Sequence, residues 1–150
     1  MPAIASLIVF FALTFAAALF GAQFKPGEWY VALAKPTWTP PSWVFGPVWT
    51  LLYIMIAVAG WMVWRQRGFG PALVVWSVGL VLNALWSWLF FGQRLIGMAL
   101  VDIVALWLTI VAFIAAAYPV SRTASFLFVP YLAWVSFATA LNFAIWRLNG

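Results

Sequence analysis

Two pairs of polar and aromatic side chains interrupt the apolar runs of this chain at helical spacings. Trp49 and Tyr53 lie four residues apart, and Asn83 and Trp86 lie three apart, so each pair shares one face of a helix. Aromatic rings supply flat apolar surfaces with a hydrogen-bonding edge, and a carboxamide supplies both donors and an acceptor. The chemistry that these residues can perform is the binding of a planar, largely apolar molecule.

A third set lies near the C-terminus, where Trp134, Ala138 and Asn142 follow one another at intervals of four residues. They form one stripe of a helix, and the small Ala138 leaves a notch between larger neighbours. Pockets for small ligands are typically lined by aromatic side chains and oriented by a few polar groups, so we predict a ligand pocket. In the alternative interpretation the asparagines only hydrogen-bond neighbouring helices, and the tryptophans only pack in the core.

The composition excludes most other chemistry. The chain has no Cys and no His, so it lacks the ordinary ligands of zinc and copper and the histidine of a hydrolase triad. Its two acidic residues, Glu28 and Asp102, are far apart in the sequence, so paired carboxylates for acid–base catalysis are missing. We predict no catalytic residues, no metal site and no required cofactor. For Asp102 two interpretations stay open, a structural acceptor near Arg94 or a ligand contact.

The elements that must position these residues are membrane helices. The chain is 68% hydrophobic and 6% charged, which is far outside the soluble class. Five apolar runs have about the 20 residues that a helix needs to cross the hydrocarbon of a bilayer, at 3–21, 43–64, 71–91, 95–117 and 124–146. We predict one all-α integral membrane domain over residues 1–150, a bundle of five transmembrane helices. The net charge of +5 is scattered through the connections, which indicates lipid headgroups as partners and not nucleic acid.

The first connection, residues 22–42, differs from the other three because it is long and rich in prolines and aromatics. Prolines restrict the backbone, and disordered segments lack aromatics, so we predict an ordered lid rather than a flexible loop. The segment "PGEWYVALAK" predicts a short helix within it. The alternative is an aromatic belt seated at the headgroups. Because successive helices alternate in direction, the pocket residues of the spans lie at similar depths, about 6–18 Å beneath this lid loop.

Two single residues carry further expectations. Pro130 removes a backbone donor inside the last run and predicts a kink there. Gly79 permits close approach of another helix, which favours the third run as the contact of a dimer.

Four segments carry a resemblance: "WYVALAKPTWTPP", "FGPVWTLLY", "NALWSWLFFG" and "VPYLAWVSFATALNFAIWR". They resemble, in order and spacing, the signature segments of the translocator protein family, also called the peripheral benzodiazepine receptor or tryptophan-rich sensory protein (TspO) family. The resemblance implies a five-helix bundle with a long first loop over a ligand pocket, commonly a homodimer. The family's pocket positions carry over to Trp38, Trp49, Tyr53, Asn83, Trp86, Trp134, Ala138 and Asn142.

The resemblance also implies ligands and roles. Protoporphyrin IX, sterols and benzodiazepine-type ligands are implied for one cavity, with a regulatory role in tetrapyrrole, oxygen or stress responses of bacteria and a place in the bacterial cell membrane. The family's sterol motif is altered, because Phe143 stands where a tyrosine is expected. Basic residues on the lid side are expected to pair with porphyrin propionates: Lys25, Lys35, Arg94 and Arg147. Light- and oxygen-dependent porphyrin breakdown and ligand transport are the alternative functions.

Overall fold

The computed structural model describes residues 2–149; Met1 and Gly150, which the predicted domain includes, lie outside the described residues. The helices are α1 (Ala3–Ala22), α2 (Gly27–Ala32), α3 (Phe45–Arg67), α4 (Pro71–Ser87), α5 (Ile96–Ala117), α6 (Arg122–Leu127) and α7 (Val129–Asn149). A 3-10 turn over Ser42–Val44 leads into α3, and a π-helical segment over Trp88–Gly92 extends α4.

Within residues 2–149, five segments are long and apolar enough to cross a membrane, which confirms the predicted all-α bundle of five transmembrane helices. They are Ala3–Ala22, Ser42–Arg67, Pro71–Gly92, Ile96–Ala117 and Arg122–Asn149. The second is three residues longer at its C-terminal end than the predicted run, because Arg65 and Arg67 complete the last turn of α3. The helix then ends at Gly68, whose φ of 75° favours glycine.

Proline marks the boundaries of two spans. Pro71 is the first residue of α4, where a missing N–H costs no hydrogen bond. The last span is divided next to Pro130, where α6 ends at Leu127 and α7 begins at Val129. An interruption next to Pro130 agrees with the hydrogen bond that a proline nitrogen cannot donate, and the kink itself stays a prediction.

The spans form a ring that is open at one place. α1 packs on α3 and α4, α4 packs on α5, and α5 packs on α7. α3 meets α6 at the end away from the lid loop, but among the described residues α3 and α7 make few close backbone contacts. We call the space between α3 and α7 on the lid-loop side the seam. Because side chains rather than backbones fill it, the seam is the part of the bundle that can change with least disruption.

Gly79 lies inside the bundle and not on its outer surface. It is buried, and a Cβ atom added there would lie 2.7 Å from Thr109 Oγ1 of α5. The glycine therefore permits close packing of α4 on α5 within one chain. Gly79 therefore gives no support to the third run as the contact of a dimer, and both that contact and the homodimer itself stay predictions.

This packing can be tested with Gly79→Ala. We expect the free energy of unfolding to fall by about 1–3 kcal/mol, because an extra methyl overfills the contact. The double variant Gly79→Ala/Thr109→Ala should recover most of the loss, since the Thr109 hydroxyl is the atom in the way. Unfolding is followed by circular dichroism during titration with a denaturing detergent.

The matched control is Gly46→Ala in the first turn of α3, where an added Cβ meets no atom within 4 Å apart from its chain neighbours and its own helix backbone. It should change stability by less than Gly79→Ala does, since the higher helix propensity of alanine and the restriction that Pro47 places on the residue before it act in opposite directions. Equal stability of Gly79→Ala and Gly46→Ala would contradict the close approach of α4 and α5.

Candidate ligand site

The first half of the lid loop folds as the predicted short helix, α2. Its C-terminal end is capped by the Lys35 ammonium group, which donates to the carbonyls of Tyr30 (2.8 Å), Val31 (3.2 Å) and Leu33 (3.0 Å). The same ammonium lies 4.7 Å from the centre of the Tyr30 ring. These contacts supply the carbonyl partners that a helix end lacks. Lys35 is therefore a weaker candidate partner for a ligand carboxylate than its position in the sequence predicts.

α2 is docked on the end of α4. The Trp29 and Tyr30 rings meet Phe90 edge-on, with ring centres 5.8 and 6.2 Å away. The Arg94 guanidinium covers Trp29 at 5.7 Å from the ring centre, and burial raises the pKa of the Tyr30 hydroxyl. These two aromatics pack against protein, which favours the lid interpretation over a headgroup belt for them.

Residues 33–41, which we call the strap, continue from α2 towards α3. The Ala34 N–H donates to Asn149 Oδ1 at 3.0 Å, and Asn149 Nδ2 donates to the Ala34 carbonyl at 2.8 Å. Farther along, the Trp38 ring meets Phe137 of α7 edge-on with ring centres 5.6 Å apart. Trp38 is 48% exposed, so it covers the bundle from outside. Asn149 escaped the sequence analysis, although it lies seven residues after Asn142 on the same face of α7.

The first asparagine joins three helices. Tyr53 Oη donates to Asn83 Oδ1 at 3.1 Å, and Asn83 Nδ2 donates to Tyr131 Oη at 2.7 Å. The Trp49 ring lies beside both tyrosines, with centres 5.5 Å from Tyr53 and 6.4 Å from Tyr131. The predicted partners Trp49, Tyr53 and Asn83 are thus brought together across α3, α4 and α7.

The second asparagine joins α4, α5 and α7. Trp86 Nε1 donates to Asn142 Oδ1 at 2.9 Å, and Asn142 Nδ2 donates to the Ile96 carbonyl at 3.1 Å. The Trp86 ring stacks on Phe90 at 5.0 Å, on the side covered by α2. Trp86 and Asn142 therefore form a second group, and both asparagines make the interhelical hydrogen bonds that the alternative interpretation expected.

Trp134 lies in the seam between rings of α3 and α7. Its ring centre is 5.7 Å from Phe45 and 5.6 Å from Phe137, and Ala138 packs half-buried on the same core. The buried Trp134 Nε1–H has no acceptor among residues 2–149. A buried donor without an acceptor is costly, and it is the usual mark of a group that bonds a ligand or water.

We call six aromatic residues that fill this space the seam cluster: Phe45, Trp49, Tyr53, Tyr131, Trp134 and Phe137. Three of them were not predicted. Helical spacing could have found each, since Phe45 precedes Trp49 by four residues, Tyr131 precedes Trp134 by three, and Phe137 follows Trp134 by three.

The rings of the seam cluster contact one another, so a planar ligand must separate them to bind there. Two cavities lie elsewhere and contain none of the eight predicted pocket residues, although one is lined by Arg94, a predicted propionate partner. One, of about 370 Å³, lies at the start of α5 between Arg94, Gly97 and Trp146. The other, of about 180 Å³, lies between Phe10, Trp64 and Trp76 at the end away from the lid loop.

Asp102 is buried in α5, 7% exposed, and its Oδ2 atom has no hydrogen-bond partner among the described residues. The Arg94 side chain lies on Trp29 and forms no ion pair with Asp102 in this part of the chain. The interpretation of Asp102 as an acceptor for Arg94 is therefore wrong. Residues 2–149 also contain no group of three His, Cys, Asp or Glu side chains that could hold a metal ion.

Comparison with known proteins agrees with this architecture. The family model of the TspO/MBR family matches residues 6–147. The chain belongs to the TspO/MBR family. It is similar to the tryptophan-rich protein TspO of Chlorobaculum tepidum, with 44% identity over 83% of this chain and 82% of that protein.

Two further members show how wide the family is. The tryptophan-rich sensory protein of Cereibacter sphaeroides is 41% identical over 97% of this chain and 92% of its own length. The human translocator protein is 42% identical over 86% of this chain and 81% of its own length. Membership of the TspO/MBR family therefore rests on similarity along nearly the whole chain.

Asn83 has hydrogen-bond partners, whereas Asp102 Oδ2 has none among the described residues. Replacing each by leucine should therefore change the free energy of unfolding in opposite directions. Asn83→Leu should lower the free energy of unfolding by about 1–3 kcal/mol, because the Tyr53 and Tyr131 hydroxyls lose their buried partner. Asp102→Leu should raise it or leave it unchanged, because it removes a buried polar group that has no partner. Both are measured by denaturing-detergent titration. A loss of stability in Asp102→Leu as large as in Asn83→Leu would mean that Asp102 has a partner in the membrane.

Proposed function

We propose that this member of the TspO/MBR family is a membrane-embedded sensor that binds protoporphyrin IX, or another planar tetrapyrrole, in the seam beneath the strap. The observation that carries the proposal is the buried Trp134 Nε1–H, which has no acceptor among the described residues and lies within the seam cluster. A ligand that accepts this hydrogen bond satisfies a donor that the protein leaves unpaired.

The seam also offers the right surface for such a ligand. Its six rings provide flat faces for a macrocycle, and aromatic contacts of this kind add stabilisation beyond the area buried. Because few backbone contacts join α3 to α7, the rings can separate without breaking the packing of α4 on α5 or α5 on α7.

The lid-loop side carries positive charge suited to the propionates of a porphyrin. Lys25, Arg94 and Arg147 are exposed there, and none has a carboxylate partner among residues 2–149. Charge-assisted hydrogen bonds to carboxylates are roughly twice as strong as neutral ones, so these residues would set the orientation of the macrocycle. Arg94 is the best placed, since its stacking on Trp29 holds the guanidinium next to the lid loop.

The opposite half of the bundle favours binding over passage of a ligand across the membrane. The ring centres of Phe113 and Phe128 lie 4.0 Å apart there, and both residues are almost completely buried. A porphyrin would have to unpack this core to cross. We therefore propose a site that opens towards one side, in a protein of the bacterial cell membrane.

The name of one relative, a tryptophan-rich sensory protein, supports a regulatory role. We propose that ligand occupancy is read out in responses to tetrapyrrole, oxygen or stress. Sterols and benzodiazepine-type molecules are further proposed ligands of the same seam, and a homodimer is the proposed assembly.

Titration with protoporphyrin IX in the dark tests the site. Wild-type protein in detergent should show saturable binding with a 1:1 stoichiometry, followed by porphyrin absorbance. Trp134→Phe keeps an aromatic ring but removes the Nε1–H, so we expect the affinity to fall by about three- to tenfold. Trp38→Phe should weaken binding less, because Trp38 covers the seam from outside.

The matched control is Trp43→Phe, which makes the same change at a residue that is 75% exposed and outside the seam cluster. It should bind as wild type does. Porphyrin uptake that never saturates, or that is equal in all three variants, would show partition into detergent and overturn the proposed site.

A further inference from the structure

Asn149 holds the strap to the bundle through its side-chain amide. Its Oδ1 accepts the Ala34 N–H at 3.0 Å, and its Nδ2 donates to the Ala34 carbonyl at 2.8 Å, so one side chain pairs with both polar groups of one residue. A third hydrogen bond, from Nδ2 to the Ile145 carbonyl at 2.8 Å, fixes the amide on α7. The Ala34 N–H needs an oxygen acceptor and the Ala34 carbonyl needs a donor. The pairing therefore also assigns Oδ1 and Nδ2 of the Asn149 amide.

The strap itself is stiff, so hydrogen bonds at Ala34 restrict the movement of the whole segment. Pro36, Pro40 and Pro41 restrict its backbone, and Thr39 bonds the Pro36 carbonyl through both its N–H (3.2 Å) and its hydroxyl (2.8 Å). At its N-terminal end Lys35 ties the strap to α2. Within residues 2–149, the Ala34–Asn149 pair is the hydrogen-bonded link between the strap and a part of the chain distant in sequence.

The strap covers the seam cluster at Phe137. Trp38 rests on Phe137, and Phe137 in turn contacts Trp134. A ligand that separates Trp134 from its neighbours from this side must therefore displace the Trp38–Phe137 contact. That displacement moves the strap, which the Ala34–Asn149 pair resists.

We propose that Asn149 is a positioning residue that latches the strap over the seam and so sets the rates of ligand association and dissociation. The inference rests on the proposed ligand site, but the latch exists without ligand. On this proposal the strap opens only during ligand entry and exit, and the two hydrogen bonds re-form over the bound ligand, so losing them should speed both directions alike. The equilibrium affinity should therefore change little, in contrast to the loss of a ligand contact.

The first test is stopped-flow binding of protoporphyrin IX in the dark to wild type, Asn149→Ala and Gln93→Ala. The two hydrogen bonds together correspond to about a tenfold change in the population of the open strap. We expect both rate constants of Asn149→Ala to rise by about that factor, while Kd stays within about twofold. Gln93→Ala removes another exposed amide on the lid-loop side and should behave as wild type does.

Other outcomes overturn the latch. Unchanged rates in Asn149→Ala, or a change in Kd carried by dissociation alone, would mean that Asn149 does not gate the seam. Trp134→Phe provides the contrast, since a lost ligand contact should appear mainly in the dissociation rate. Asn149→Asp places a carboxylate oxygen against the Ala34 and Ile145 carbonyls to which Nδ2 donates, so its rates should rise at least as much as those of Asn149→Ala.

The second test needs no ligand. Hydrogen exchange of the peptide that covers residues 33–41 should be about tenfold faster in Asn149→Ala than in wild type, while exchange within α5 stays unchanged. If wild-type protein binds no porphyrin but this difference is found, the proposed ligand fails and the latch stands. If exchange is equal in both proteins, the latch fails whatever the ligand.

The chain contains no cysteine, which permits a reversible lock. In Ala34→Cys/Asn149→Cys, an oxidised pair should slow association and dissociation below the wild-type rates, and reduction should raise both above them. Equal rates in the oxidised and reduced forms would contradict gating by the strap.

Discussion

Two buried asparagine side chains fix how four of the five spans sit against one another. Asn83 of α4 bonds tyrosines of α3 and α7, and Asn142 of α7 bonds Trp86 and the start of α5. Hydrocarbon offers no hydrogen-bond partner, so these amides and hydroxyls must find each other inside the protein. Both pairs lie in the half of the bundle nearest the lid loop. Because the buried asparagine amides and tyrosine hydroxyls each need a hydrogen-bond partner, these groups determine which side chains meet in that half.

The two amides hold the helices at different distances. Asn142 bonds α5 where α5 and α7 are in close backbone contact. The hydrogen bonds of Asn83 to Tyr53 and Tyr131 cross the seam, where side chains separate α3 from α7. Aromatic rings fill that gap because they are large and flat and fit between backbones that do not meet. This part of the core can change more readily than the rest, because separating these rings breaks few close backbone contacts between α3 and α7.

The sequence was sufficient for the spans and for much of the site, but for different reasons. Apolar length alone predicts the five crossings, and proline and glycine place their ends. Helical spacing predicts that Trp49 lies beside Tyr53, because that relation is local. It could not predict that Asn83 bonds the tyrosines while Trp86 turns to Asn142, because the choice depends on rotamers and on how far α3 stands from α7. Gly79 shows a related limit: a small residue permits close packing without saying which helix comes close.

Local sequence patterns predict the order of the lid loop but not the contact that holds it to the bundle. Four prolines and a helical segment predict its order, and Lys35 follows the familiar tendency of basic side chains to cap helix ends. What holds the strap is a single amide 115 positions away in the sequence. The contact joins the end of the last span to the loop after the first, so any tilt of α7 relative to α3 is felt at Ala34. The strap and the seam are therefore coupled through two contacts of α7, Trp38 on Phe137 and Ala34 on Asn149.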